Sequence, residues 1–508
     1  MKNNNEFIDD MDFKDIFEEI NGTLTSFNSI PHEEVLKALL ETISYVDFKS
    51  KINPKEEDFT TTVEAVAVNA EEKTAPKKKR SKVKKKDYHV LVIEEVLRIA
   101  RQKHWGLCKK NSAVYLYNGA FWKQISEDDL KQFLGKAAAK MGVPKLESKH
   151  FSFRDDLYKQ FLGFAVLESF KQPEDTILIN LQNDTFEITP NGRDLRSFAA
   201  RDFLTYQLPF EYDESATAPK FQKYLNEVLP DKACQKILAE YFGYVFTRNI
   251  KMEKILLLYG SGANGKSVFF DIINAILGRE NVTNYSLESL TNTNGYQRAN
   301  LGDSLVNYAS EVSGKLNQAR FKQLASGEPI DVRLPYSKPF ILYDYAKLVF
   351  NCNELPKEVE QTEAYFRRFL IIPFTVTIPE KKRDKDLAKK IIASELSGVF
   401  NWILKGLDRL LEKQKFTESK AVQNQLEEYR KESNTVLLYI SENGYKKSTK
   451  KYYSINMLYQ HYRGFCNDFG VTPVNKINFN KRLKSAGYHV KRNSKGYLVN
   501  IDVKEIKP

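Results

Sequence analysis

Eight consecutive residues carry the clearest chemistry in this 508-residue chain: Gly260, Ser261, Gly262, Ala263, Asn264, Gly265, Lys266 and Ser267. Their spacing, G-x-x-x-x-G-K-[ST], is that of a phosphate-binding loop, with Gly260, Gly265, Lys266 and Ser267 at the fixed positions. Glycine lets successive backbone N–H groups turn inward around phosphate oxygens. Val268 continues into SVFFDIINAILG, whose helical period would point the positive end of a helix at the same anion. Lys266 would neutralise the β and γ phosphates of ATP, and Ser267 would give an oxygen to Mg2+. A structural turn is the competing reading. The strand-like run ILLLY (255–259) before the loop and the helical run after it favour nucleotide binding.

Further candidates stand at the ends of apolar runs. Glu311 follows LVNYA (305–309), and a carboxylate just past a strand can polarise an attacking water and hold Mg2+ with Ser267. Ser310 stands where an acidic pair would need a second carboxylate, and Asp303 is too far back along the strand. Magnesium therefore falls chiefly to Ser267, the phosphates and water. Asn353 closes KLVFNCN (347–353), where an amide can orient water or read the γ phosphate. Asn351 shares its side of a regular strand, so spacing alone leaves the two open. Arg367 and Arg368 precede FLIIPF, with Glu363 the one carboxylate at i ± 4. They suit an arginine finger reaching a neighbour's nucleotide, an ion pair within the chain being the alternative. The stretch 327–345, GEPIDVRLPYSKPFILYDY, reads as a hairpin with Arg333 and Lys338 near its tip. Basic and aromatic groups together suit a DNA-backbone tracker, although an ordinary sheet edge has the same composition.

These residues need a scaffold. The runs at 255–259, 305–309, 347–353 and 368–374 are apolar on both faces, as central strands of a covered α/β sheet should be. The segment 246–380 is therefore expected to be the nucleotide-binding core, followed by a helical extension over 381–431. Upstream, residues 88–245 read as a mostly helical domain with two interruptions. One is a hairpin turning at Asn118-Gly119, the other a pair of strands turning at Asn183-Asp184. Residues 432–508 read as helix, helix and two-stranded wing, the order of a winged-helix domain. Residues 1–51 read as a small acidic helical segment, with a helix start at Pro31, and 52–87 as a flexible linker.

Charge follows the same divisions. The formal net charge is +12, yet residues 1–76 hold 17 acidic and 7 basic residues, a net of −10. PKKKRSKVKKKD (76–87) then carries eight Lys or Arg residues, and the last 68 residues carry 14 basic against 4 acidic. The basic run reads first as a solvated tether and second as a phosphate contact. Apolar residues make up 42% and charged residues 28%, which excludes a wholly disordered chain. Four cysteines without a CxxC pair exclude a disulfide scaffold and argue against a closed zinc site. No run of 18 apolar residues marks a membrane span, and the acidic start lacks a signal peptide's apolar stretch.

The run from Gly260 to Phe374 resembles superfamily 3 helicases, in particular the D5-type primase-helicase family of phages and plasmids. GSGANGKS resembles its Walker A motif and LVNYASE its Walker B. FKQLASGEPIDVR resembles its B-prime motif, with Lys322 at the family's lysine, and KLVFNCNELP its motif C, with Asn353 as the sensor. FRRFLIIPF resembles the arginine-finger segment, where Arg368 matches best. The resemblance spans about 90–495. It implies an AAA+-like P-loop ATPase core between a helical N-terminal domain and a C-terminal winged helix. It also implies a hexameric ring with ATP at subunit interfaces, single-stranded or forked DNA as partner, and Lys322, Arg333 and Lys338 on the DNA side. The cell compartment would be the cytoplasm of a bacterium or phage-infected bacterium. Only about 87 residues precede the resemblance, and they show no paired-carboxylate signature. Primase activity would then come from a separate primase or polymerase. Competing readings are an origin-binding initiator or helicase loader with ATPase activity, a nucleotide-gated non-replicative ring, and, least favoured, a metabolite kinase.

Overall fold

The computed structural model describes residues 29–52, 82–110, 113–165, 175–310, 312, 316–335, 338–356, 361–494 and 496–502. The expected acidic helices before 29, most of the linker and Glu311 lie outside the described residues. The chain divides into two compact units, one ending at Gln207 and the other comprising Leu181–Asn183 and Leu208 onward.

In the first unit, helices α1 (His32–Thr42), α2 (Phe48–Ile52) and α3 (Lys85–Gln102) precede a meander of β1 (Gly106–Lys110), β2 (Ala113–Tyr117) and β3 (Trp122–Ile125). α3 starts inside the basic run, where Asp87 accepts the Lys84 N–H at 2.7 Å and so fixes the first turn. α4 (Glu127–Met141), α5 (Lys145–Lys149) and α6 (Phe151–Phe164) follow, then a second meander of β4 (Ile177–Asn180), β5 (Thr185–Thr189) and β6 (Gly192–Arg196). The helical period places Val35 and Leu39 of α1, Val92 and Val96 of α3, Leu130 and Leu134 of α4, and Phe153 and Leu157 of α6 in one core. Each expected pair of strands gains a third, so this region is more mixed than its helical reading.

The second unit begins with α7 (Pro219–Val228) and α8 (Lys232–Tyr244). Residues 208–245 thus belong to the same unit as the glycine-rich 260–267 segment, not to that of the preceding helices. Their amphipathic period requires a buried face without specifying what covers it. Phe221 meets Phe269 and Trp402, with ring centroids 6.5 and 5.1 Å away.

β7 (Ile255–Tyr259), α9 (Lys266–Leu277), β8 (Val282–Thr283), α10 (Leu287–Thr291), α11 (Tyr296–Ala299) and β9 (Val306–Ala309) come next. They are followed by α12 (Gln318–Ser326), β10 (Ile330–Val332), β11 (Phe340–Leu342), β12 (Lys347–Cys352), α13 (Glu363–Phe366) and β13 (Phe369–Pro373). Five strands form a parallel sheet in the order β13-β7-β12-β9-β8. Leu256 aligns with Val349 on one side and Leu370 on the other. β8 is two residues long, too short to leave a period in the sequence. Its pairing with Val306 and Asn307 defines it. β10 and β11 form a separate antiparallel hairpin.

α14 (Leu387–Lys413) packs along α8 and α9, and α15 (Lys420–Glu432) packs on β13. The tail comprises α16 (Thr435–Glu442), β14 (Lys446–Lys447), β15 (Tyr453–Ser454), α17 (Ile455–Asp468), α18 (Lys476–Ser485), β16 (Val490–Asn493), β17 (Gly496–Val499) and β18 (Ile501–Asp502). Val436, Leu458, Tyr462, Phe479, Leu483 and Val499 give it a core of its own. α17 and α18 are followed by the β16–β17 hairpin, on which β15 pairs as a third strand.

Candidate functional site

Alternating packing on both faces buries Ile255, Leu256, Leu257 and Leu258 completely, so β7 is a rigid central strand. The chain leaves its carboxyl end at Gly260 and re-enters as α9 at Lys266. A covered parallel sheet has its crevice at this end of its strands. Gly260 approaches the neighbouring backbone so closely that a Cβ there would lie 2.5 Å from the Phe374 carbonyl oxygen. Gly265 adopts φ +86°, a left-handed conformation that glycine takes without steric cost. These two glycines shape the turn, and Asn264 pins it by donating Nδ2 to the Phe374 carbonyl at 3.2 Å.

Lys266 is 6% exposed. Its Nζ donates to the Gly260 carbonyl at 2.6 Å, to Asn264 Oδ1 at 3.2 Å and to Asn353 Oδ1 at 3.3 Å. All three donors of the ammonium therefore have oxygen partners. Burial draws this lysine below its ordinary range, since the charged form loses hydration. Ser267 lies exposed in the first turn of α9, and Val268 is half-buried. The loop fits a phosphate chain on two structural grounds: a close-approach glycine where a side chain would clash, and a nearly buried ammonium at a helix start.

The structure separates the two asparagines that spacing left open. β12 ends at Cys352, so regular alternation stops before Asn353. Asn351 is buried and accepts the Tyr308 hydroxyl at 3.1 Å. Asn353 is exposed and meets Lys266. Asn351 is thus a packing residue, and Asn353 is the amide at the loop. Among the described residues no group of three His, Cys, Asp or Glu side chains is arranged to hold a metal ion.

Arg367 and Arg368 require a correction. The sequence suggested arginines without a partner in their own chain, but both have one. Arg367 Nη2 lies 2.9 Å from Glu253 Oε2, in a pair with side chains 54% and 42% exposed. Arg368 is 7% exposed; it donates to Ser326 Oγ at 2.9 Å and to the Ala364 carbonyl. Glu253 lies 114 positions from Arg367, far outside the three or four residues of a helical spacing rule, so local pattern could not find it. Phe369 aligns with Ile255 in parallel register, which puts both arginines at the amino ends of the strands. The Gly260–Ser267 loop lies at the carboxyl ends, about 16 Å away along five residues of strand.

The 330–342 hairpin exposes Arg333 and Lys338, together with Leu334, Ile341 and Tyr343. Lys322 is half-buried on α12, while its neighbour Arg320 pairs with Asp331 at 2.7 Å. Lys322 therefore does not share the open placement of Arg333 and Lys338. Arg298 left no signal in the sequence, yet it is fully buried. It donates to the Leu290 and Asn292 carbonyls at 2.8 and 2.6 Å and reaches the Asp331 carbonyl at 3.4 Å. A single guanidinium so ties the end of α10 to the hairpin base through its fork of donors.

Comparison with known proteins adds relatives. A family described as D5 N terminal like matches residues 91–230, and a family of unknown function (DUF5906) matches 258–368. A "Putative helicase" of Acanthamoeba polyphaga mimivirus is 22% identical over 242 residues, covering 44% of this chain and 24% of the viral protein. "Putative helicase 121R" of Invertebrate iridescent virus 3 is 25% identical over 256 residues, 46% of this chain and 26% of that protein. "Putative helicase 184R" of Invertebrate iridescent virus 6 is 26% identical over 327 residues, 53% and 32%. The chain thus spans about a quarter to a third of the length of these viral proteins. The apo structure of the NrS-1 C terminal region aligns at a TM-score of 0.42 and 13% identity, covering 82% of this chain and 99% of that one.

Proposed function

We propose that this chain, a D5-type primase-helicase-like protein, is an ATP-dependent DNA helicase that works as a ring in the replication of a mobile element. The observation that carries the reading is the contact between Lys266 Nζ and Asn353 Oδ1 at 3.3 Å, which joins the phosphate loop to the end of an adjacent strand. ATP would lie along Gly260–Ser267, with Lys266 on its β and γ phosphates. Ser267, with Glu311, would hold Mg2+, which when bound neutralises charge on the phosphate oxygens. Glu311 would take the proton of the attacking water, and Asn353 would orient that water or sense the γ phosphate.

The distance of Arg367 and Arg368 from the loop of their own chain supports action on a neighbour's nucleotide. Arg367 is the more available of the two, since Arg368 is buried against α12. Leaving an exposed ion pair with Glu253 costs about 0.2–1 kcal/mol, little against a triphosphate's charge. Arg333 and Lys338 would follow the DNA backbone, with Lys322 in support, and the basic winged-helix tail would add salt-sensitive affinity.

Lys266→Ala should lower DNA-stimulated ATP hydrolysis about a hundredfold or more and abolish strand displacement on a forked duplex. Undiminished hydrolysis in that variant would sink the reading.

A further inference from the structure

We propose that Tyr224 is a positioning residue for the phosphate loop: its hydroxyl holds the Gly265 carbonyl so that the Lys266 N–H faces bound phosphate. The inference rests on the nucleotide reading of that loop. Tyr224 is 3% exposed on α7, a helix that no phosphate-loop spacing rule includes. Its Oη donates to the Gly265 carbonyl at 2.8 Å. The Gly265 carbonyl oxygen also accepts the Phe269 N–H at 3.2 Å, the first rung of α9, so both of its lone pairs are engaged.

A trans peptide is planar, and its C=O and N–H point in opposite directions. Fixing the Gly265 oxygen on the α9 and α7 side therefore turns the Lys266 N–H outward, into the mouth of the loop. That N–H belongs to the first turn of α9 and has no acceptor within the helix. The peptide is also confined sterically. Gly265 sits at φ +86°, and a Cβ there would come within 2.7 Å of Val228 Cγ1 and 3.2 Å of Tyr224 Cε2. α7 is itself anchored, because Glu395 of α14 accepts the Lys220 and Phe221 N–H groups at 3.1 and 2.9 Å. Tyr224 thus transmits a fixed helix position to one peptide plane of the anion cradle.

The test is steady-state ATP hydrolysis by the full chain, with inhibition by inorganic triphosphate measured alongside. Tyr224→Phe keeps the ring and removes the donor. It should raise KM for ATP and the inhibition constant for inorganic triphosphate by the same factor, about three- to tenfold, with kcat little changed. Matching factors would show that the hydroxyl acts on phosphate, not on base or sugar. Val228→Ala, which frees space beside Gly265, should raise the same two constants. Leu157→Ala, in the core of the first unit, destabilises the fold without touching α7 or the Gly265 peptide; it should lower Tm and leave KM in place. Unchanged constants in Tyr224→Phe, or an equal KM rise in Leu157→Ala, would overturn the proposal. Should Tyr224→Phe fail to fold, unchanged constants in Val228→Ala overturn it instead. A wild-type chain that neither binds nor hydrolyses ATP defeats the nucleotide reading, whereas normal wild-type turnover with an unaffected Tyr224→Phe defeats this inference alone.

Discussion

Lys266 and Arg333 are cations of the same α/β unit in opposite settings. Lys266 is 6% exposed and has three oxygen acceptors within 3.3 Å. Arg333 stands exposed at the end of β10, in a hairpin whose Leu334, Ile341 and Tyr343 also face outward. Under the proposed function the contrast separates two ways of preparing for a phosphate. At the loop the chain supplies the surroundings, so a bound anion meets groups already fixed and partly dehydrated. At the hairpin the chain supplies a basic and apolar surface on a short two-stranded support, and the complement would come from a bound strand. The two places should therefore answer differently to mutation: the loop through turnover, the hairpin through affinity and salt.

After Lys266→Ala, the largest expected effect breaks the loop side of this contrast. Asn353→Ala should cut ATP turnover about tenfold to a hundredfold while leaving DNA affinity near the wild-type value. A turnover within twofold of wild type would return Asn353 to the role of a loop residue. On the hairpin side, Arg333→Ala combined with Lys338→Ala should weaken DNA binding about tenfold. It should also lower the salt slope of log K by roughly one to two, with DNA-free hydrolysis retained. An unchanged salt slope would remove both residues from the DNA path.

A third experiment examines the sheet between the two regions. Lys347 starts β12, half-buried, with Nζ 4.3 Å from the Tyr244 ring centroid. Burial pulls its pKa down to about 8, with Asp344 opposing and Lys251 adding to the shift. Between about pH 8 and the ordinary lysine value, the unfolded chain binds more protons than the folded one, so this residue's contribution to stability rises with pH. Below pH 8 the folded state bears the full cost of the charge. Lys347→Met should therefore stabilise the fold by about 1 kcal/mol at pH 7, with the gain shrinking as pH approaches 10. Chemical denaturation at the two pH values checks this, and an equal gap at both would contradict it. The smallest expected effect concerns the far end of the sheet. Glu253→Gln should release Arg367 and raise turnover about twofold to fivefold at limiting protein concentration. A fall in turnover would show that the pair orients Arg367 for its task.

Much of the architecture was legible because it is written in local patterns. ILLLY predicts β7 to the residue, and the glycine spacing with the helical run after it marks the loop and α9. What escaped was contact between segments distant in sequence. Glu253 faces Arg367 only because β7 and β13 align in register, and Ser326 holds Arg368 only because α12 lies against that strand end. β8 is defined by its neighbour β9 alone.

From sequence alone come the residue types and spacing of the loop, the apolar strands that flank it and the basic tail, because spacing and period record what one segment does by itself. Tertiary structure chose between Asn351 and Asn353, buried Arg368 and Arg298, and brought Tyr224 under Gly265. Each of those outcomes depends on which side chains share a small volume after folding. A residue's type and its near neighbours along the chain do not specify that volume, whereas strand register and helix packing do.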